Sequence, residues 1–252
     1  MKNILITVIA TVTTFSSLST QAQSNKKLKV LFVLTSHNQL GNTGKKTGFW
    51  IEEFATPYYF FKDKNIEIVD ATPQGGQAPI DPKSNETGFQ TESTKRYFTD
   101  AHAQNVLSKT VKLSTVNQKK FDAIFYPGGH GPMWDLTNDK NSIALIQSFY
   151  IQNKPIAFVC HGSAALVNVK NHKGEYLIKG KKITSCNTEE DAVQLTTVVP
   201  FSLENKLKER GAIYQKGADW SSFTIVDWLL LTGQNPQSSK EVAQKLFEMI
   251  HK

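Results

Sequence analysis

Strand-length apolar runs alternate with helix-length segments along most of this chain. The first run, Leu28–Leu34, is almost continuously apolar, which is typical of a strand buried on both faces of a parallel sheet. Further strands are predicted at Ile66–Val69, Phe121–Tyr126, Pro155–Val159, Lys182–Cys186 and Phe223–Leu231, and helices at Gly48–Lys64, Lys95–Lys109, Asn141–Gln152, Ser202–Arg210 and from Ser238 to about His251. This alternation predicts an α/β domain with a mostly parallel central sheet and helices on both faces.

Two segments interrupt this regular pattern. Pro57 lies inside the first predicted helix and is expected to kink or interrupt it. The stretch Thr72–Ser93 contains several prolines and glycines and is predicted to form a long loop. Loops of this length in compact domains often serve as lids or as the edges of binding sites.

The first residues have the pattern of a secretory signal peptide. Lys2 is the only charge before an apolar stretch from Ile4 to Phe15, and the small-residue segment Thr20-Gln21-Ala22 follows. The stretch is shorter than the roughly 20 apolar residues that cross a bilayer, and no later segment is long and apolar enough to do so. Residues 1–22 are therefore predicted to be a leader cleaved after Ala22, and residues 23–252 a single domain that is periplasmic or secreted.

The basic residues do not indicate nucleic-acid binding. The formal net charge is +7, but the lysine doublets are scattered at Lys26-Lys27, Lys45-Lys46, Lys119-Lys120 and Lys181-Lys182. Nucleic-acid recognition requires a clustered basic face and a recognisable module. We therefore expect no nucleic-acid partner.

Cys160-His161-Gly162 is the motif that most directly indicates chemistry. It follows the predicted strand Pro155–Val159 and precedes a run of small residues that is predicted to begin a helix. A sharp strand-to-helix turn resembles a nucleophile elbow, and a helix N-terminus favours the anionic form of a thiol. Cys160 is therefore predicted to be a nucleophile, and His161 either a general acid–base or a group held by a carboxylate.

Cys160 and Cys186 are the chain's two cysteines. In an exported protein they are candidates for a disulfide. The position of Cys160 at a turn favours a free thiol, and a Cys160–Cys186 disulfide is the alternative.

The loop Gly128-Gly129-His130-Gly131 follows the predicted strand Phe121–Tyr126. It is expected to lie near Cys160, since loops at the carboxyl ends of parallel strands converge. Glycines allow backbone N–H groups to face a ligand, so Gly128, Gly129 and His130 are candidates for stabilising an oxyanion together with the N–H of His161. The spacing matches neither common phosphate-binding motif.

Two acidic groups are further candidates. Glu52 and Glu53 are adjacent on the first predicted helix, so one can face the core while the other faces solvent, and spacing does not choose between them. One acid of the run Glu189-Glu190-Asp191 is a candidate for orienting a histidine. The histidines and cysteines show no metal-binding spacing, so neither a metal nor a cofactor is expected.

Four segments resemble the ThiJ/PfpI superfamily, whose domain is related to class I glutamine amidotransferases, and within it the heat-shock chaperone and glyoxalase III branch. They are Thr47–Glu53 with Pro57, Tyr126–Gly131, Val159–Gly162 and Leu231–Pro236. The resemblance implies a flavodoxin-like three-layer sandwich with Cys160 as nucleophile. It also implies that Glu53 is the buried acid and that Asp191, with Glu190 as alternative, orients His161.

The same resemblance implies a function. The expected reaction is cofactor-free conversion of methylglyoxal into lactate, or a related hydrolysis, at Cys160. The alternatives are a holdase chaperone that binds unfolded clients, for which Thr72–Ser93 is the candidate surface, and a cysteine peptidase; a homodimer is left open. Amidotransferase activity is not expected, because the late His-x-Glu of those enzymes is absent and the only late histidine is His251.

Overall fold

The computed structural model describes residues 27–191 and 195–251. The predicted leader and its cleavage site therefore lie outside the described residues. Nine strands are present in these two ranges: β1 (Lys29–Val33), β2 (Glu67–Thr72), β3 (Val111–Lys112), β4 (Ala123–Tyr126), β5 (Ile156–Val159), β6 (Lys182–Ile183), β7 (Ile213–Tyr214), β8 (Thr224–Asp227) and β9 (Leu230–Gly233).

The central sheet has the strand order β3-β2-β1-β4-β5-β9-β8. Its neighbouring strands are parallel except for β8 and β9, which form an antiparallel hairpin at one edge. Strands β6 and β7 pair separately in a small parallel sheet. Because β1, β4 and β5 lie side by side, the loops that follow them meet at one end of the sheet, where ligands bind in folds of this class.

Helices cover both faces of the sheet. They are α1 (Ile51–Lys62), α2 (Glu92–Thr99), α3 (Ala101–Leu107), α4 (Lys140–Ile151), α5 (Thr188–Asp191), α6 (Leu203–Glu209) and α7 (Ser239–Ile250). Alternate residues of β1 point to opposite faces. Val30 and Phe32 pack with α1 and α7, whereas Leu31 and Val33 belong to the core on the side of α4 and α6. The predicted flavodoxin-like three-layer α/β sandwich is confirmed.

Several predicted elements have different boundaries. The helix predicted over Lys95–Lys109 is divided into α2 and α3, because the Asp100 carboxylate caps α3 by accepting from the N–H groups of His102 and Ala103. Helix α1 continues through Pro57. The single strand predicted at Phe223–Leu231 is the β8–β9 hairpin, which turns at Trp228 with a positive φ of 55°.

The α-helix predicted after Cys160 is instead a 3₁₀ helix, Cys160–Leu166.

No helix within residues 27–191 and 195–251 combines the length and apolar character needed to cross a bilayer.

Asp70 on β2 is a buried acid, and no hydrogen bond within the described residues offsets the burial of its carboxyl group. Its side chain is 3% exposed, and neither carboxyl oxygen has a hydrogen-bond partner among the described residues. Burial raises the pKa of Asp70 to about 7. The free energy of ionising this group in the folded state is therefore a cost to stability at neutral pH.

We expect Asp70→Asn to stabilise the protein at pH 8 and to change its stability little at pH 4. The folded-state pKa of about 7 lies above the unfolded value of about 3.9. Stability is therefore lost as the pH rises between these values, by at most about 4 kcal/mol. Urea unfolding of both proteins from pH 4 to pH 8 measures the difference. A stability gain that does not depend on pH would show that ionisation of Asp70 is not its source.

Candidate active site

Cys160 lies at the carboxyl end of β5, in a strained turn. Its φ is +55°, in the left-handed region that residues with a side chain rarely occupy. Gly162 allows the turn to pass close to β4, because a Cβ at this position would lie 2.3 Å from the backbone oxygen of Tyr126. The side chain of Cys160 is thereby held at the end of the sheet, as predicted for a nucleophile elbow.

Cys160, His161 and Asp191 form one hydrogen-bonded row. Cys160 Sγ lies 3.2 Å from His161 Nδ1, and His161 Nε2 lies 2.8 Å from Asp191 Oδ1. All three side chains are buried. Asp191 ends the short helix α5 and is brought to His161 by the fold, across 30 positions of sequence.

This row favours a thiolate and an imidazolium. Contact with the Cys186 thiol holds the pKa of Cys160 well below its ordinary value; burial opposes this effect and the charge on His161 adds to it. Burial by itself lowers the pKa of His161, but the Asp191 carboxylate and the Cys160 sulfur outweigh it and hold that pKa well above its ordinary value. The element that follows Cys160 is a 3₁₀ helix of seven residues, not the α-helix whose N-terminus the sequence predicts beside the thiol.

Glu190 does not contact His161. Its Oε1 accepts hydrogen bonds from the backbone N–H of Trp220 at 2.8 Å, from Gln234 Nε2 at 3.0 Å and from Asn235 Nδ2 at 2.8 Å. The structure thus places Asp191 on the imidazole and Glu190 among these donors.

Glu53, in the first turn of α1, is the acid beside Cys160. It is fully buried, and its Oε2 accepts a 2.6 Å hydrogen bond from the N–H of Gly128. Burial and the nearby Cys160 sulfur raise the pKa of Glu53 well above its ordinary value, so the carboxyl is held protonated. Its Oε1 has no hydrogen-bond partner in the described part of the chain. Glu52 instead contacts Thr56 and Thr91.

The loop after β4 has a different role at each position. The N–H of Gly128 is occupied by Glu53, which argues against the predicted oxyanion role for this residue. Gly129, with a φ of +85°, and His130 line the cavity above Cys160. The ring of His130 lies 4.8 Å from that of His161, and its Nδ1 lies 3.6 Å from Asp81 Oδ2.

These groups open into one cavity of about 200 Å³. Its mouth is aromatic: Trp50 packs edge-on against Phe89, and Trp220, half exposed, faces the same space. The predicted loop Thr72–Ser93 contributes Lys83 and Phe89 to this wall. The sequence patterns do not assign Asp81, Trp220 or Cys186 to the site, because these residues come from separate segments without a motif. Trp50 lies in the motif segment Thr47–Glu53, but sequence gives it no role.

Two trios of side chains in the described residues offer donor atoms within 4.8 Å of one another. They are Cys160, His161 and Cys186, and His130, His161 and Asp191. Both trios share His161, whose two nitrogens already contact Cys160 and Asp191. A metal ion bound here would therefore replace the hydrogen bonds that align the row.

Comparison with known proteins identifies the relatives of this chain. A model of the DJ-1/PfpI family matches residues 46–249. Glyoxalase 3 of Candida albicans is 32% identical over 227 residues, which cover 86% of this chain and 96% of that protein. The crystal structure of glyoxalase III from Candida albicans superimposes with a TM-score of 0.81 at 29% identity, covering 88% of this chain and 97% of the other. The rapid encystment protein REP24 of Francisella tularensis gives a TM-score of 0.85 at 39% identity, covering 88% and 99%.

Proposed function

This chain belongs to the DJ-1/PfpI family, and we propose that it is a glyoxalase III-type enzyme that converts methylglyoxal into lactate without a cofactor. One observation carries the proposal. The side chains of Cys160, His161 and Glu53 line one cavity, in which Cys160 Sγ lies 3.2 Å from His161 Nδ1. The glyoxalase relatives of similar length support the same reaction.

The reaction begins with attack by sulfur. Cys160 Sγ bonds to the aldehyde carbon of methylglyoxal, and the carbonyl oxygen takes the proton of Glu53 or His161, which gives a hemithioacetal and leaves that group able to accept a proton. Gly129 and His130 line this part of the cavity, and we assign them to the substrate oxygens.

The next step is an internal transfer of hydrogen. The proton on the former aldehyde carbon is removed and a proton is delivered to the neighbouring carbon, which produces a 2-hydroxyacyl thioester. Glu53 and His161 are the two groups placed beside the sulfur to carry this proton. Water then cleaves the thioester, releasing lactate and restoring the thiolate. One water is consumed and no electrons leave the substrate, so no redox cofactor is required.

The test of the proposal is product formation. We expect the purified protein to form lactate from methylglyoxal without glutathione, with loss of methylglyoxal and gain of lactate in equal amounts by NMR. Methylglyoxal that persists as its hydrate beside the enzyme would refute the proposal.

The aromatic mouth of the cavity predicts a preference among aldehydes. We expect Trp220→Ala to lower kcat/KM for phenylglyoxal about tenfold, because a buried aromatic contact contributes about 1–2 kcal/mol. The value for methylglyoxal, which has no aromatic ring to contact Trp220, should change less than about twofold. Trp228→Ala is the matched control, since Trp228 is also half exposed with positive φ but does not line the cavity. Equal losses for both aldehydes would contradict this role for Trp220.

The alternative activities receive less support. Phe89 and Trp220 are exposed large hydrophobic residues, as a holdase requires, but both line the cavity that contains Cys160. This placement favours binding of a small ligand over capture of an unfolded client. Client binding, peptide hydrolysis and homodimer formation stay predictions of the family resemblance.

We also propose that the enzyme acts outside the cytoplasm. The support is the leader pattern of residues 1–22. The mature protein is expected to begin at Gln23, which N-terminal sequencing of the exported chain checks. Recovery of a chain that retains Met1–Ala22 would contradict export by this signal.

A further inference from the structure

The chain's two cysteines meet in the same cavity. Cys160 and Cys186 are both free, both buried, and both line the space in which the substrate is proposed to react. Cys160 Sγ, His161 Nδ1 and Cys186 Sγ lie within 4.8 Å of one another. Cys160 is at the end of β5, whereas Cys186 follows the small strand β6, so only the folded chain brings the sulfurs together.

The two sulfurs are in different protonation states. The thiolate of Cys160 and burial raise the pKa of Cys186 well above its ordinary value, so Cys186 keeps its proton. Its S–H lies 3.6 Å from Asp191 Oδ1 and 3.9 Å from the backbone oxygen of Asn187. A thiolate beside a neutral thiol is the pairing found where one sulfur reacts and a second sulfur resolves the product. The glyoxalase steps described above do not use Cys186.

We propose that Cys186 is a resolving cysteine, which closes a reversible Cys160–Cys186 disulfide after a hydroperoxide has oxidised Cys160. The inference depends on the position of the two sulfurs and not on the identity of the aldehyde substrate.

The chemistry balances in two steps. In the first, the Cys160 thiolate attacks the hydroperoxide, the O–O bond breaks, and the products are a sulfenic acid and, after a proton is taken up, an alcohol or water. In the second, Cys186 sulfur displaces the hydroxyl of the sulfenic acid. The S–H proton leaves with that hydroxyl as water, and the S–S bond forms. The hydroperoxide is reduced by two electrons and the two cysteines together lose two.

The structure favours the second step over further oxidation. Cys186 Sγ lies within 4.8 Å of Cys160 Sγ, so its attack is intramolecular, whereas formation of a sulfinic acid requires a second hydroperoxide. The Asp191 carboxylate next to Cys186 can accept the thiol proton and pass it to the departing hydroxyl, which leaves as water. Closure requires the sulfurs to approach to about 2.05 Å. The disulfide would block the nucleophile, and reduction would return it.

The test is the oxidation state of each sulfur. The reduced protein is treated with two molar equivalents of hydrogen peroxide, denatured, alkylated with N-ethylmaleimide and analysed by intact and peptide mass spectrometry. We expect a monomer that has lost two hydrogens, carries no label and yields a Cys160–Cys186 cross-linked peptide. Dithiothreitol should restore both alkylation sites.

Variants separate this proposal from simple oxidation. In Cys186→Ser and Cys186→Ala, Cys160 should proceed to a sulfinic acid that dithiothreitol does not reduce. In Cys160→Ser, Cys186 should remain unmodified at the same dose. Sulfinic acid at Cys160 with a free Cys186 in the unaltered protein would overturn the proposal, as would a disulfide formed only between chains. Because mass is the readout, the result is independent of whether the protein converts methylglyoxal.

Discussion

Replacing Cys160 with serine is expected to reduce lactate formation from methylglyoxal to the uncatalysed rate, a loss of at least about a thousandfold. The serine hydroxyl has nearly the same size but a far higher pKa than the thiol, so the row through His161 and Asp191 would no longer present an anion to the aldehyde. The measurement is kcat/KM by lactate formation at pH 7 in the absence of glutathione.

The effect must be chemical and not a failure to fold. The circular dichroism spectrum and the unfolding midpoint of Cys160→Ser should match those of the unaltered protein. Any difference should be no larger than that caused by Trp228→Ala, a surface change outside the cavity. Cys160→Ala provides a second variant without any nucleophile. Activity above about a tenth of the unaltered value in both variants would mean that another group attacks the substrate.

Replacing Glu53 with glutamine is expected to lower kcat for methylglyoxal by about 10²- to 10⁴-fold. Glutamine keeps the size of the side chain and an oxygen that can accept from the N–H of Gly128. It lacks the carboxyl proton that Glu53 holds beside the Cys160 sulfur. The loss should therefore appear in kcat, measured by lactate formation at saturating methylglyoxal.

Glu52→Gln is the matched control, because it makes the same chemical change one position earlier on α1. Glu52 bonds to Thr56 and Thr91 and does not line the Cys160 cavity. We expect Glu52→Gln to retain kcat within about twofold. The reverse outcome, activity lost with Glu52→Gln and kept with Glu53→Gln, would show that the wrong carboxyl has been assigned.

Local sequence patterns predict the framework of this protein well. The runs around Val30–Val33 and Ile156–Val159 are buried on both faces, and this burial is visible as nearly continuous apolar sequence. The turn at Cys160 is predictable because an apolar strand, the glycine at 162 and a run of small residues that begins a helix follow one another within a few positions. The division at Asp100 could also have been recognised, since an aspartate before Ala101 is an N-cap signal.

Sequence patterns predict the site less well than the framework, because the contacts in the site join segments that are far apart in the sequence. Spacing does not distinguish Glu53 from Glu52. The family resemblance implies Glu53, and the packing of α1 against the loop at Gly128 shows its carboxyl in the site. Asp191 and Glu190 are neighbours with different partners, which depend on where α5 lies.

The same limit applies to the cavity. Trp220 and Cys186 carry no motif and enter the site through the fold alone.

The predicted leader and its cleavage after Ala22 remain predictions from sequence.

The hydrogen bonds to Glu190 have a mechanical consequence for the enzyme. One carboxylate oxygen fastens the backbone of Trp220 and the side chain of Asn235 to the same turn of helix that ends in Asp191. Trp220 at the mouth of the cavity and Asp191, which orients His161, are thus held by the same short helix. A substrate that displaces Trp220 must either strain the hydrogen bonds to Glu190 or move Asp191 with them. Substrate entry and proton transfer at His161 are therefore coupled.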